Sequence, residues 1–178
     1  LRRGDGATGR PASGRDRGGE YRRRGRTKAP ASSAVAVPEA RQSVDIDVAP
    51  DRVMGVIVDF AAYPRFVPEM SEAIILRHDA DGWVVKFAVR VVRRLDYTLR
   101  LVQPTPLSLR WSLVEGTFRA NSGGWDLTPL DGGPRTRADY HIDLDVGMFV
   151  PGSVMKTLVQ TSLPATLAAF KGEAERRG

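Results

Sequence analysis

The chain has 178 residues, 42% of them apolar, enough for one domain with a hydrophobic core. It has no cysteine, which excludes disulfides, thiolate chemistry and zinc–sulfur sites. The net charge of +6 is unevenly placed: residues 1–34 carry +7 and the remainder carries −1, so the remainder has no electrostatic reason to bind nucleic acid.

Residues 1–39 read as a disordered Arg/Gly-rich tail. They are dominated by Gly, Arg, Ala, Ser and Pro, with Tyr21 the only aromatic, and cannot bury enough apolar surface to offset ordering. The stretch lacks the apolar core of a secretory signal and the amphipathic pattern of a transit peptide. Arg22, Arg23, Arg24 and Arg26 fit an arm for RNA or anionic lipid. A merely solvated extension is the more economical reading, because short basic runs are weak signals.

The domain is expected over 40–178. In Arg41–Val48, Val44, Ile46 and Val48 alternate with acids, the period-two mark of a half-buried strand. Pro50 then opens a helix over 51–60, with Val53, Met54, Ile57 and Val58 at helical spacing. Pro64 and Pro68 limit the next stretch to short helical turns around Phe66.

Six strands are predicted next. Glu72–His78 is followed by a turn at Asp79–Gly82. Trp83–Val91 places Trp83, Val85, Phe87 and Val89 on one face. Arg94–Val102 does the same with Leu95, Tyr97, Leu99 and Leu101, and Pro104-Thr105-Pro106 closes it. Leu107–Val114 alternates Leu107, Leu109, Trp111 and Leu113 with polar residues. In Thr117–Leu130, Phe118 and Trp125 have opposite parity, so a bulge at Gly123-Gly124 is expected to bring them to one face. Arg135–Val146 puts Ala138, Tyr140, Ile142 and Leu144 opposite Asp139, His141, Asp143 and Asp145.

Every strand therefore has one apolar and one charged face, and something must cover the apolar one. The last segment supplies a helix: Pro151 starts it, and Val154, Met155, Leu158, Val159, Ser162, Leu163, Thr166, Leu167 and Phe170 form its apolar stripe. Pro164 falls inside that stripe and predicts a kink. No apolar run is long enough to span a bilayer. The expected fold is α+β: a helix-grip, with a curved antiparallel sheet of about seven strands wrapped around a long C-terminal helix.

A narrow helix in a curved sheet leaves internal space, and that space is expected to hold a hydrophobic small molecule. The candidate ligand-binding residues are Phe66, Met70, Phe87, Val89, Tyr97, Leu99, Trp111, Leu113, Trp125, Tyr140 and Ile142, with Val159, Ser162 and Leu163 from the helix. Aromatic side chains are more often plain core, so about half of Phe66, Phe87, Trp111, Phe118 and Trp125 are expected at a ligand. Tyr97, Tyr140 and Ser162 are the inward polar groups; each can bond a ligand oxygen or be satisfied by backbone or water. Ala61–Pro68 is the expected mouth, where Phe66, Val67 and Met70 would meet ligand or a membrane surface.

The segment Asp59–Met70, DFAAYPRFVPEM, resembles the START and birch-pollen-allergen superfamily, within it the coenzyme Q-binding and polyketide cyclase-like branch that includes bacterial ribosome-association toxins. Glu115–Leu127, EGTFRANSGGWDL, and the helix after Val150-Pro151 add to the likeness, which covers about residues 40–175. That branch often carries a cysteine after the tyrosine-proline motif; Met70 and Ser71 stand there in this chain, so no thiol role carries over. The resemblance implies a cavity for a polyprenyl quinone, a lipid or a polyketide. The apolar inward face, poor in acids and bases, is expected to serve binding or transport without catalysis and without a required cofactor, in the cytoplasm or peripheral to the inner membrane. The resemblance leaves two alternatives, a cyclase/dehydratase enzyme and a ribosome-associated RNA-binding protein.

No catalytic or metal constellation stands out in the sequence. His78 and His141 are the only histidines; His141 lies with Asp139 and Asp143 on the predicted outer face, without HxH or HExxH spacing. Gly152-Ser153 lacks the glycine-x-serine-x-glycine elbow. No Arg or His alternates onto the inward face, which argues against acid–base catalysis.

Overall fold

The computed structural model describes residues 39–91, 93–147, 156 and 158–178. The predicted tail up to residue 38, and the helix start at Pro151, Val154 and Met155, lie outside the described residues.

Seven strands form one antiparallel sheet. They are β1 (Glu39–Ile46), β2 (Met70–Asp79), β3 (Gly82–Arg90), β4 (Arg94–Thr105), β5 (Ser108–Gly116), β6 (Ala120–Leu130) and β7 (Arg135–Asp145). The order β1-β7-β6-β5-β4-β3-β2 is a meander from β2 to β7, with β1 added beside the last strand. Between β1 and β2 lie α1 (Pro50–Ile57), a 3₁₀ turn (Phe60–Ala62) and α2 (Tyr63–Phe66). After the sheet comes a π-helical turn (Leu158–Ser162) and then α3 (Leu163–Arg177).

Local chemistry sets these elements. Pro50 lies at the start of α1, where its missing N–H costs nothing. Gly82 closes the β2–β3 hairpin at φ +121, and a Cβ there would stand 2.1 Å from the Leu101 carbonyl oxygen, so only glycine fits. Pro164 lies in the first turn of α3, directly after the π turn, so the helix changes type next to the residue where a kink was expected.

Two expectations at strand ends change. β4 runs on through Pro104 to Thr105, so the turn is the two residues Pro106 and Leu107. The bulge at Gly123-Gly124 is absent: β6 keeps regular register with both β5 and β7. Phe118 instead sits before the strand, after the turn at Gly116, and packs with Leu95 and Leu144. Its parity was therefore never bound to that of Trp125.

The main core packs Ile46, Ile57, Phe60, Val85, Leu109, Ala138 and Leu167 between the concave sheet, α1 and α3. A second, smaller cluster packs Leu95, Phe118 and Leu144. The outer face carries cross-strand ion pairs such as Arg110–Asp126 (2.6 Å) and Arg137–Asp45 (2.9 Å). The C-terminal part of α3 is tied down by several contacts. Lys171 Nζ donates to the Asp45 carbonyl (2.6 Å), the Asp47 N–H donates to Glu175 (3.1 Å), and Arg177 pairs with Asp59 (2.9 Å).

Candidate functional site

A cavity of about 190 Å³ lies between the concave face of β3–β7, the α2–β2 junction and the first turns of α3. Its wall is a continuous belt of aromatic rings. Trp111 meets Tyr140 at 5.5 Å between centroids, Tyr140 meets Trp125 at 4.8 Å, and Trp125 meets Phe170 at 5.2 Å. Phe170 meets Tyr63 (5.1 Å), Tyr63 stacks on Phe87 (6.0 Å), Phe87 on Tyr97 (5.6 Å), and Tyr97 reaches Phe118 (5.1 Å). Rings at these distances meet in the offset and edge-on arrangements that aromatic pairs favour. An engineered apolar cavity of about 150 Å³ admits benzene. This one therefore has room for a ring-sized group, and is smaller than the roughly 300–1,000 Å³ usual for drug-sized ligands.

Of the predicted ligand residues, Met70, Phe87, Val89, Tyr97, Leu99, Trp111, Trp125, Tyr140, Ile142, Ser162 and Leu163 line the cavity. Phe66 does not; its ring packs edge-on against Phe170 (5.2 Å) and Tyr63 (5.8 Å), behind the wall. Leu113 is taken up between the two core clusters instead. The Val159 side chain lies outside the described residues. The sequence reading missed Tyr63, Leu109, Asn121, Leu144, Thr166 and Phe170, all of which line the space. Parity could have found Asn121, because it shares the inward face of β6 with Gly123, Trp125 and Leu127.

The motif around Tyr63 now has a physical role. Asp59 pairs with Arg177 of α3, the Tyr63 hydroxyl donates to the Ile57 carbonyl (2.5 Å), and Val67 is buried at the cavity edge. Exposed Pro68 and half-buried Glu69 also line the cavity, so it reaches the surface there, at the predicted mouth. Glu69 adopts φ 65, an uncommon conformation for a residue other than glycine, and its carbonyl accepts the Arg90 N–H (2.8 Å). This contact fixes how the chain enters β2.

Inside the mouth, where Glu69 stands, the polar groups of the wall are neutral. Gly123 lies under the Trp111 indole, where a Cβ would come within 2.4 Å of the ring. The indole can thus lie flat across β6 and donate its N–H to Asn121 Oδ1 (2.9 Å). Ser162 is 8% exposed, and its hydroxyl has no partner among the described residues. Tyr97 and Tyr140 are half-buried, with their remaining surface on the cavity. Burial pushes both phenols far above their usual range, and Tyr63 likewise, so all three stay protonated at neutral pH. Among the described residues no Lys, Arg or His lines the cavity, and Glu69 at the mouth is the sole carboxylate there. His141 stays on the outer face of β7, and no group of three or more His, Asp or Glu gathers among the described residues. No described helix is long and apolar enough to cross a membrane.

This architecture, a seven-stranded sheet gripping a terminal helix over an aromatic-walled cavity, defines a START-type helix-grip protein. Residues 46–171 match the family described as polyketide cyclase / dehydrase and lipid transport, and the chain belongs to that family. Among solved structures, a START superfamily protein from Mycobacterium smegmatis superposes with TM-score 0.69 at 22% identity, covering 79% of this chain and 99% of that one. The Zhui aromatase/cyclase from Streptomyces sp. R1128 gives TM-score 0.70 at 23% identity, covering 79% of this chain and 94% of that one. At these identities the likeness shows the fold.

Among curated relatives, the ribosome association toxin RatA of Vibrio cholerae serotype O1 is 29% identical over 94 residues, 52% of this chain. The match spans 65% of the length of that relative. The persistence and stress-resistance toxin PasT of Escherichia coli O6:H1 is 25% identical over 114 residues, 62% of this chain and 70% of that protein.

Proposed function

We propose that the protein binds and carries a hydrophobic small molecule, a polyprenyl quinone or a lipid, without catalysing a reaction on it. The observation that carries this reading is the aromatic-walled cavity, which lacks any acid–base pair among its described lining residues. Its volume admits a ring or a short branched segment. A longer tail would leave past Pro68 and Glu69, where transient contact with a membrane surface would load it. Apolar burial at about 0.8 kcal/mol per CH₂ drives such binding with few polar contacts. The ligand would be a cargo, with no further cofactor required.

Extraction of the purified protein into organic solvent, followed by mass spectrometry, tests the reading. A quinone or lipid recovered in near-stoichiometric amount is expected. An empty cavity with no affinity for quinones or fatty acids overturns it.

Two relatives favour other readings. The fold shared with the Zhui aromatase/cyclase favours a cyclase or dehydratase. That reading requires turnover which falls when Tyr97 or Tyr140 is changed to Phe. The similarity to RatA favours ribosome association. That reading requires ribosome binding that falls steeply with salt.

A further inference from the structure

The cavity has a polar side that the carrier reading leaves unused. Asn121 is 5% exposed and lines the space. Its amide orientation is fixed chemically: the Trp111 indole nitrogen can only donate, so it must face Asn121 Oδ1, at 2.9 Å. The amide NH₂ then remains on the cavity side with two donors to offer. Ser162 lines the same cavity; its hydroxyl oxygen is buried in the present rotamer without a partner among the described residues, and a turn about its Cα–Cβ bond would bring it to a ligand. Buried polar groups are normally paired, so donors of this kind on one apolar cavity mark where a ligand oxygen belongs.

We infer that Asn121 and Ser162 are specificity-determining residues that select a ligand with a neutral carbonyl head, such as a ketone, quinone or ester, over a carboxylate or a plain hydrocarbon. The inference rests on the carrier reading and narrows its ligand class. A hydrocarbon offers neither donor an acceptor. A carboxylate would have to shed its water with no cation among the described lining residues to replace it, and would pass Glu69 at the mouth.

Three ring-sized probes of nearly equal shape test it at neutral pH: acetophenone, ethylbenzene and benzoate. Each is titrated into the full chain, with ¹H–¹⁵N spectra followed at the indole N–H groups of its three tryptophans. Acetophenone is expected to bind roughly three- to ten-fold more tightly than ethylbenzene, the range set by a net neutral hydrogen bond or two. Its binding should shift the Trp111 indole signal, and benzoate should bind more than tenfold more weakly than the ketone. Asn121→Leu should abolish the preference for ketone over hydrocarbon. Ser162→Ala, which only removes an unpaired buried hydroxyl and so should fold, is expected to halve it or more.

Ethylbenzene binding as tightly as acetophenone, or benzoate binding most tightly, overturns the inference while leaving the carrier reading intact. A preference that survives in Ser162→Ala and in folded Asn121→Leu also overturns it. If none of the three probes binds, the inference falls, and the carrier reading stands or falls on the extraction and on affinity for quinones and fatty acids.

Discussion

The two ends of the molecule's interior are built on different terms. Around α1, Ile46, Ile57 and Phe60 are completely buried, and the C-terminal half of α3 is fastened to β1 by the Lys171–Asp45 carbonyl bond and to Asp59, just after α1, by the Arg177 ion pair. Around the start of α3 the helix opens into a π turn, a hydroxyl is buried without a partner among the described residues, and a cavity of about 190 Å³ persists. One end is closed by shape and charge, and the other is walled by aromatic rings. Stability concentrated at the closed end lets the open end keep unsatisfied groups, each of which costs free energy.

Substitutions can break this contrast. Ile57→Ala, at the closed end, should produce the largest loss, about 2–5 kcal/mol, because removing a completely buried side chain leaves a void in the packed core. Urea denaturation measures it, and a loss below about 1 kcal/mol would mean the closed end is not closely packed. Gly123→Ala, at the open end, should cost about 1–3 kcal/mol or more, because the added methyl meets the Trp111 ring at 2.4 Å and the His141 carbonyl oxygen, a backbone atom that cannot swing aside, at 2.3 Å. The ring can retreat into the cavity, so the same variant should lose affinity for ring-sized ligands, read by calorimetry.

The smallest effect is electrostatic. Hydrogen bonds from Arg176, then Arg177, hold the Glu173 carboxyl down from its ordinary 4.5 to about 2. A depressed carboxylate pKa stabilises the fold above pH 4.5 and loses that contribution as the pH falls toward 2. The urea midpoint should fall over that window, and Glu173→Gln should flatten part of the slope. The pairs are largely at the surface, so the change should be shallow.

Much of this architecture was legible in the residues. Strict alternation in Trp83–Val89, Arg94–Leu101 and Arg135–Leu144 assigned faces that the structure keeps. Pro164 marked where the helix changes type, because a missing N–H suits a first turn and not a helix interior. The expectations that failed lay where tertiary partners decide. Phe118 was forced into a strand it only precedes, which demanded a bulge and drew attention from Asn121. An asparagine facing an oily interior reads as an error until the indole N–H that holds it is seen. Phe66 sits in a four-residue helix whose direction is set by Phe170, more than a hundred positions away.

The position of β1 has a consequence for how the chain comes together. Glu39 lies opposite Asp143 and Ile46 opposite Thr136, so β1 must wait for β7 to be synthesised. Every other neighbouring pair in the sheet is a local hairpin that can zip as it emerges. Ile46, completely buried in the finished protein, therefore spends translation without its strand partner, and closing that single long loop is the step expected to limit the folding rate.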